Sequence, residues 1–302
     1  MAGRVVTVFG GSGFIGRHAV KRMAARGWRV RIATRNPGDA LFLKTAGAVG
    51  QIVPIFANSR DDASVADAVE GADAVVNLVG ILYQSGRQTF DAVHHLAAGR
   101  IAKAAQAAGA GRMVQISAIG AAPDSKSAYA RSKAAGEAAV RAAFPGATIL
   151  RPSIVFGPED GFFNLFAGLT RVSAFLPLIG GGRTRFQPVY VGDVADAVMA
   201  ALESADTPGK TYELGGPTIY TFRQLMELLL KTIGRERALV TVPWTVAKLQ
   251  GAVLGLMPKP LLTRDQVAQL KVDNVVAEGA LALADLGIEP TAAEIILPVS
   301  YT

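Results

Sequence analysis

The chain has 302 residues, half of them apolar and fewer than a fifth charged, so it can bury a sizeable core and is not expected to be disordered. It contains no cysteine, which excludes disulfides and thiolate chemistry and is typical of a reducing compartment. Three histidines, of which only His94 and His95 are adjacent, provide no zinc-type spacing, so no metal is expected. The net charge of +7 is scattered along the chain, and we therefore expect no nucleic-acid partner.

The first half of the chain alternates short apolar runs with helical patterns. In chain order, the predicted elements are strand Val5–Phe9, helix Gly16–Arg26, strand Arg29–Ala33, helix Ser64–Glu70, strand Ala74–Val79, helix His94–Ala108, strand Met113–Ser117, helix Ser127–Ala143 and strand Thr148–Leu150. This alternation predicts an α/β fold: a Rossmann-type, doubly wound parallel sheet with helices on both faces. Because the first strand begins at Val5, we expect no targeting segment and a cytoplasmic location, and no stretch approaches the length of a membrane span.

The second half has a looser pattern. Tyr190–Leu202 is predicted as a strand end followed by a helix, and Thr221 with Gln224 forms a capping box that opens a helix ending near Ile233. We expect residues 1–155 together with about 186–205 to form the nucleotide-binding domain. Residues of about 156–185 and 206–302 are then expected to form a smaller C-terminal lobe.

A glycine-rich loop follows the first strand and opens the first helix. Its sequence is Gly10-Gly11-Ser12-Gly13-Phe14-Ile15-Gly16. Glycine lets the backbone approach a pyrophosphate, and the helix N-terminus presents free N–H groups to it. The strand–turn–helix context predicts a dinucleotide site, with a tight turn that binds nothing as the alternative.

The end of the second strand indicates which dinucleotide is bound. An NAD site usually has an acid there, but this strand ends in Thr34-Arg35-Asn36. Arg35 can pair with a 2′-phosphate, and Arg17 can supply a second positive charge. We therefore expect NADP(H), with NAD(H) as the alternative cofactor and solvated surface arginines as the alternative interpretation.

Tyr129 and Lys133 are four residues apart on a predicted helix and so share one face. An ammonium near a phenol is expected to lower the phenol pKa, which allows proton transfer during hydride transfer at a nicotinamide. The lysine can also bind the nicotinamide ribose.

At this point the chain resembles a known superfamily. The glycine loop, Asn77-Leu78-Val79-Gly80, the Tyr129/Lys133 pair and Arg151-Pro152-Ser153 are similar to the extended short-chain dehydrogenase/reductases over about the first 200 residues. More narrowly, four segments resemble the nucleotide-binding accessory subunit family of respiratory complex I. They are Ser132–Glu137, Phe156–Asp160, Gln187–Val191 with Asp193–Ala195, and Gly209–Leu214.

The resemblance implies which residues form the site. Besides the glycine loop, Arg17 and Arg35, the implied cofactor-binding residues are Asn58, Leu78, Val79, Gly80, Ser117, Tyr129, Lys133, Pro152 and Ser153. Tyr129, Lys133 and Ser117 are the candidate catalytic residues. Active members more often place the serine one or two positions later, at Ala118 or Ile119 here, and His94 lies near the place of their helix asparagine. Cofactor binding is therefore better supported than turnover, and Ser117 has the alternative role of a strand-end residue that bonds its own backbone.

An apolar segment, Trp244–Met257, lies in the tail. It is interpreted either as a packed helix of the small lobe or as a docking surface for a partner subunit or the membrane interface.

The resemblance implies an NADP(H)-binding, reductase-like protein. We expect a non-catalytic accessory or assembly subunit of complex I that holds a structural or regulatory nucleotide, peripheral on the cytoplasmic (or matrix) face of the respiratory membrane. The alternatives are a free-standing NAD(P)-dependent reductase or epimerase, acting on a small carbonyl or sugar-nucleotide substrate, and a nucleotide-sensing regulator without turnover.

Overall fold

The computed structural model describes residues 3–258 and 260–301. The strands are β1 (Val5–Phe9), β2 (Arg29–Thr34), β3 (Ile52–Phe56), β4 (Ala74–Asn77), β5 (Arg112–Ile116), β6 (Thr148–Pro152), β7 (Val155–Phe156), β8 (Phe175–Ile179), β9 (Arg185–Phe186), β10 (Val189–Tyr190), β11 (Thr211–Leu214), β12 (Tyr220–Thr221) and β13 (Ala238–Val242). The helices are α1 (Phe14–Ala25), α2 (Asp62–Val69), α3 (Ala97–Ala107), α4 (Ala128–Ala143), α5 (Phe163–Val172), α6 (Val191–Glu203), α7 (Phe222–Thr232), α8 (Trp244–Leu254), α9 (Arg264–Gln269) and α10 (Ala293–Tyr301). Short 3₁₀ turns span Pro37–Ala46, Gly180–Gly182 and Ala284–Leu286, and a π-helical turn spans Asp91–Leu96.

A seven-stranded parallel sheet forms the centre of the molecule, in the order β11-β6-β5-β4-β1-β2-β3. Helices α1 and α6 pack on one face, where Ala19, Val20 and Met23 of α1 join the core. Helices α2, α3 and α4 pack on the other face. Because both faces are covered, β1 and β4 are almost entirely apolar and buried. The predicted doubly wound α/β fold is confirmed.

Strand β3 falls outside the predicted elements. Its apolar run contains Pro54, which has no N–H to donate to a sheet and so argues against a strand. The strand lies at the edge of the sheet and pairs with β2, with Pro54 opposite Ile32. At an edge, proline is tolerated because one side of the strand needs no partner.

The helix predicted at His94–Ala108 begins earlier, as the π-helical turn Asp91–Leu96, and continues as α3. Helix α4 approaches this turn very closely. A Cβ atom at Gly136 would lie 2.0 Å from the His94 carbonyl oxygen, so only glycine fits at that position. The sequence periodicity cannot indicate that the helix widens into a π-helical turn at this point.

A second apolar cluster lies between α5, α7, α10 and the short strands β8 and β9. The predicted capping box is present, since Thr221 accepts from Gln224 N and the Gln224 side chain accepts from Thr221 N. Strand β11 belongs to the range expected for the smaller lobe, yet it pairs with β6 in the large sheet. The described part of the chain has no helix that combines the length and the apolar character needed to cross a bilayer.

A largely buried ion pair connects α4 to strand β6 of the central sheet. The Arg151 guanidinium donates to both carboxylate oxygens of Glu137, at 2.8 and 2.7 Å, and lies 3.4 Å from Glu213 of β11. The hydrogen bond to Glu137 raises the pKa of Arg151. Because Glu137 is on α4, the pair holds the helix that carries Tyr129 and Lys133 against β6.

We expect Arg151→Met to lower the free energy of unfolding by about 3–5 kcal/mol, because it leaves the buried Glu137 carboxylate without its partner. As a control, Arg4→Met removes a more exposed pair with Glu203 and should cost less than about 1 kcal/mol. Urea unfolding followed by circular dichroism measures both. Equal losses of unfolding free energy in the two variants would show that the Arg151–Glu137 pair does not stabilise the position of α4.

Candidate functional site

The carboxyl ends of the central strands meet at one edge of the sheet. Phe9 at the end of β1 is in register with Ala33 of β2 and Asn77 of β4. The residues that follow, Gly10 and Leu78, are therefore neighbours. The order of the strands reverses between β1 and β4, and in open α/β sheets this is where ligands bind.

The glycine loop is shaped by two close backbone contacts. Gly10 has φ +78°, and a Cβ atom on it would lie 3.1 Å from Val79 N. A Cβ atom on Gly16 would lie 2.2 Å from the Gly10 carbonyl oxygen, so α1 packs directly on the loop. Gly13 is the N-cap of α1 and brings no side chain to cap it, which leaves the N–H groups of the first turn for a ligand.

The remaining loop residues Ser12, Phe14 and Ile15 are half-buried, and Arg17 lies across the loop. Its guanidinium donates to the carbonyl oxygens of Ser12 and Gly13, at 3.4 Å each. It also pairs at 3.2 Å with Glu159, which follows β7. The positive charge of Arg17 is thus partly compensated before any ligand is bound.

Arg35 and Asn58 follow the adjacent strands β2 and β3. Arg35 is exposed and forms no ion pair within residues 3–258 and 260–301. Its neighbour Asn36 accepts from Gly38 N and donates to Asp39. The Asn58 side chain accepts a hydrogen bond from Arg60 N at 3.2 Å and so stabilises the turn in which it lies.

Lys133 is buried in the centre of the site. Its Nζ atom lies 3.5 Å from the Ile116 carbonyl oxygen and 5.8 Å from the centre of the Tyr129 ring. A Cβ atom on Gly80 would come within 3.4 Å of the same Nζ. Burial lowers the pKa of Lys133 to about 8. The structure therefore brings Tyr129, Lys133 and Gly80 close to Ile116, the residue before Ser117.

The predicted lowering of the Tyr129 pKa is wrong. Burial, and then the charge of Asp265, raise the pKa of Tyr129 to about 12. Asp265 of α9 accepts from Ser127 Oγ at 2.8 Å and from Ala128 N at 2.6 Å, at the start of α4. A carboxylate there stabilises the helix but disfavours a phenolate. Tyr129 is a neutral phenol at physiological pH.

Asp265 could have been noticed in the sequence only through the second capping box around it, between Thr263 and Gln266. Nothing local indicates that this short helix contacts a segment more than 130 residues earlier in the chain.

His94 is a buried, neutral connector. Its Nε2 accepts from Ile81 N at 3.0 Å, and its Nδ1 lies 2.9 Å from Ser132 Oγ. Because Ser132 Oγ donates to the Tyr129 carbonyl oxygen, Nδ1–H donates to Ser132. Burial and the nearby charge of Lys133 lower the pKa of His94 to about 3. The side chain joins the loop after β4 to the helix turn of Tyr129.

Ser117 is 3% exposed, and its Oγ has no hydrogen-bond partner, the one such buried atom among the side chains that the structure describes. The alternative role, a hydroxyl that bonds its own backbone, is not seen in the described part of the chain. A buried hydroxyl without a partner costs free energy unless a ligand or water satisfies it. This unpartnered hydroxyl next to Ile116 fits a site that is completed by a cofactor.

Pro152 ends β6, and Ser153 follows it. Ser153 Oγ donates to Asn274 Oδ1 at 2.7 Å. Asn274 also accepts from Ile154 N and donates to the Ile119 carbonyl oxygen at 3.3 Å. Asn274 therefore joins the ends of two strands, and its role has no signal in the sequence.

Residues 6–215 match the model of the NAD dependent epimerase/dehydratase family. A crystal structure of dTDP-glucose 4,6-dehydratase from Streptomyces venezuelae, with NAD and TYD bound, has a similar fold. The TM-score is 0.71 at 22% identity, covering 98% of this chain and 95% of that one.

Two curated relatives share the name NADH dehydrogenase (ubiquinone) 1 alpha subcomplex subunit 9, mitochondrial. The Arabidopsis thaliana protein is 39% identical over 302 residues, covering 96% of this chain and 75% of its own length. The Rattus norvegicus protein is 35% identical, covering 98% of this chain and 79% of its own length. The chain therefore belongs to the NAD dependent epimerase/dehydratase family and, within it, to the family of these subunit 9 proteins. The expected family resemblance is confirmed. The prediction of a nicotinamide dinucleotide as cofactor is also confirmed, without a choice between NAD and NADP.

The low pKa of His94 predicts how stability depends on pH. The unfolded histidine binds a proton below about pH 6.5, whereas folded His94 binds one only near a pKa of about 3. The unfolded state therefore holds more protons in this window, and the folded state loses stability as pH falls from about 6.5 towards 3.

We expect His94→Gln, whose amide can keep both hydrogen bonds, to lose less stability than the unmodified protein between about pH 7 and about pH 4.5. His95→Gln is a matched control, because His95 is partly exposed and paired with Asp91. Denaturant unfolding at the two pH values measures the difference. The same loss in all three proteins would contradict a buried, neutral His94.

Proposed function

We propose that this chain binds NADP(H) and acts as a non-catalytic, reductase-like accessory subunit of respiratory complex I. The observation that carries the proposal is the similarity to the subunit 9 relatives, which covers 96% of the chain, including its less regular second half. The glycine loop and the buried residues around Lys133 support a tightly held nucleotide.

The choice of NADP(H) depends on Arg35. This side chain follows β2, where a ribose-binding acid would exclude a 2′-phosphate, and it forms no ion pair in the described ranges. A guanidinium can bind a phosphate through two parallel hydrogen bonds. Arg17 contributes less, because Glu159 already pairs with it.

The nicotinamide end of the site is suited to holding the nucleotide. Lys133 and the neutral phenol of Tyr129 can donate to the ribose hydroxyls, and Ser117 Oγ is free to bond the bound cofactor. A tyrosine with a pKa of about 12 does not supply a phenolate base at neutral pH. These features support binding and orientation by the same residues that active relatives use for turnover.

The proposed location is peripheral, on the cytoplasmic (or matrix) face of the respiratory membrane. The names of the relatives place them in a mitochondrial NADH dehydrogenase. Contacts with neighbouring subunits would hold the chain there.

A free-standing NAD(P)-dependent reductase or epimerase is the second candidate. The specific observation in its favour is that Tyr129, Lys133 and the segment ending in Ser117 come together, with the Ser117 hydroxyl unpartnered. A substrate carbonyl could use that hydroxyl.

We expect NADPH to bind more tightly than NADH, and Arg35→Ala to weaken NADPH binding by about 1.5–3 kcal/mol, the range for a hydrogen bond to a charged group. NADH binding should change much less. Arg29→Ala is a matched control, because Arg29 is exposed at the opposite end of the same strand. Calorimetric titration at several salt concentrations measures both nucleotides; a preference for NADH would contradict the NADP(H) assignment.

The accessory-subunit role is tested by purifying complex I from native membranes and analysing its protein and nucleotide content by mass spectrometry. We expect the chain and NADP(H) to copurify, and Lys133→Ala to lose nucleotide faster on washing while Lys103→Ala retains it. Carbonyl and sugar-nucleotide substrates should give no rate above background. A chain absent from complex I that turns over a substrate, with the rate abolished by Tyr129→Phe, would establish the second candidate instead.

A further inference from the structure

A cleft of about 650 Å³ opens beside the start of α8, and none of the residues assigned to the dinucleotide site lines it. Its wall is formed by Gly180–Gly182 and Trp244, and two arginines, Arg183 and Arg223, border it. The proposed function leaves this cleft unused.

The three glycines give the cleft a wall of bare backbone. All three have positive φ, at +62°, +77° and +69°. A Cβ atom on Gly180 would lie 2.1 Å from the Trp244 ring, and one on Gly182 would lie 3.0 Å from Arg223 N. Another residue at Gly180 would therefore displace the indole, and one at Gly182 would displace the helix that carries Arg223.

The charges at the cleft are positive and weakly compensated. Arg183 is exposed and has no ion pair in the described ranges of the chain. Arg223 pairs only loosely with Glu227, at 3.8 Å and with both side chains about half exposed. Lys271 Nζ lies 5.2 Å from the Trp244 ring centre. No described carboxylate lines the cleft, so its chemistry favours a phosphate group.

Helix α8, which begins at Trp244, has an exposed apolar side. Ala247 and Gly251 are buried towards the protein. Val246, Leu249 and Val253 lie on the opposite side at 100° per residue and are 44%, 68% and 60% exposed. We call these three residues the outward face of α8.

The charged residues in and just after α8 are cations, and the first acid is Asp265. Residues 242–264 contain Lys248, Lys259 and Arg264 and no acidic residue. The segment therefore combines exposed apolar side chains with a net positive sequence charge.

We propose that the cleft binds the phosphate of an anionic phospholipid, while the outward face of α8 lies among the acyl chains at the bilayer surface. The proposal rests on the membrane-side location proposed above. A phospholipid surface presents an anionic layer next to an apolar one, and the cleft adjoins the helix because Trp244 both lines the cleft and begins α8. With 11 residues, α8 is about 16 Å long, so it lies on a bilayer rather than crossing it.

The test is cosedimentation of the purified full chain with vesicles of phosphatidylcholine alone or with about 30% phosphatidylglycerol. We expect binding to the anionic vesicles. The double variant Arg183→Gln/Arg223→Gln should bind the anionic vesicles about thirtyfold more weakly. This factor corresponds to about 1 kcal/mol for each of the two cations removed. The control variant Lys103→Gln with Lys210→Gln changes two exposed cations that do not line the cleft, and it should lower the partition onto the same vesicles less than about threefold.

The apolar part is tested by Leu249→Asn with Val253→Asn, which should abolish binding to the anionic vesicles. Val49→Asn with Val172→Asn changes two exposed valines elsewhere and should leave binding intact. Circular dichroism and nucleotide content confirm that each variant is folded.

Unchanged vesicle binding in the arginine variant or in the α8 variant would overturn the proposal. Inorganic phosphate is the second probe. If calorimetry shows that it binds in an arginine-dependent way while vesicles do not bind, the ligand is a soluble phosphate compound and the lipid assignment fails. Because the vesicle assay uses the isolated chain, its outcome is independent of whether the chain copurifies with complex I.

Discussion

The close packing around α4 is the constraint on which the site depends. Gly136 brings this helix against the His94 carbonyl, Arg151 binds Glu137 at its middle, and Asp265 accepts hydrogen bonds at its first turn. The contacts come from three separate segments of the chain. Together they determine where Tyr129 and Lys133 lie relative to the ends of β4 and β5. The same closeness removes water from the site, which is why the pKa values of Lys133 and Tyr129 shift in opposite directions.

The sequence predicted the doubly wound α/β fold well, because the signals of its strands and helices are local. Buried parallel strands are nearly continuous apolar runs, and helices alternate with them at regular spacing. The missed strand β3 illustrates the limit of this approach. Pro54 is a valid argument against a central strand, and only the position of β3 at the sheet edge makes it harmless.

The candidate site was predicted unevenly for the same reason. The glycine loop and the Tyr129/Lys133 pair follow from spacing along one segment. Asp265 and Asn274 act across more than 100 residues, and their effects could not be inferred from the sequence. The Tyr129 pKa shows the consequence: considering Lys133 alone predicts a lowered value, whereas burial and Asp265 raise it. A pairwise argument from spacing fails where desolvation is the larger effect.

The packing of α1 against α6 sets the earliest time during synthesis at which α1 can be fully packed. The two helices pack side by side, and Arg22 of α1 donates to Asp196 of α6 at 2.6 Å. About 180 residues separate the end of α1 from the end of α6, so a ribosome working at 5–20 residues per second needs roughly 10 to 40 seconds to produce the second helix. During that time Ala19, Val20 and Met23, which are buried in the finished protein, lack this partner. The glycine loop is thus synthesised well before the helix that completes its support, and the apolar face of α1 stays exposed on the nascent chain during that interval.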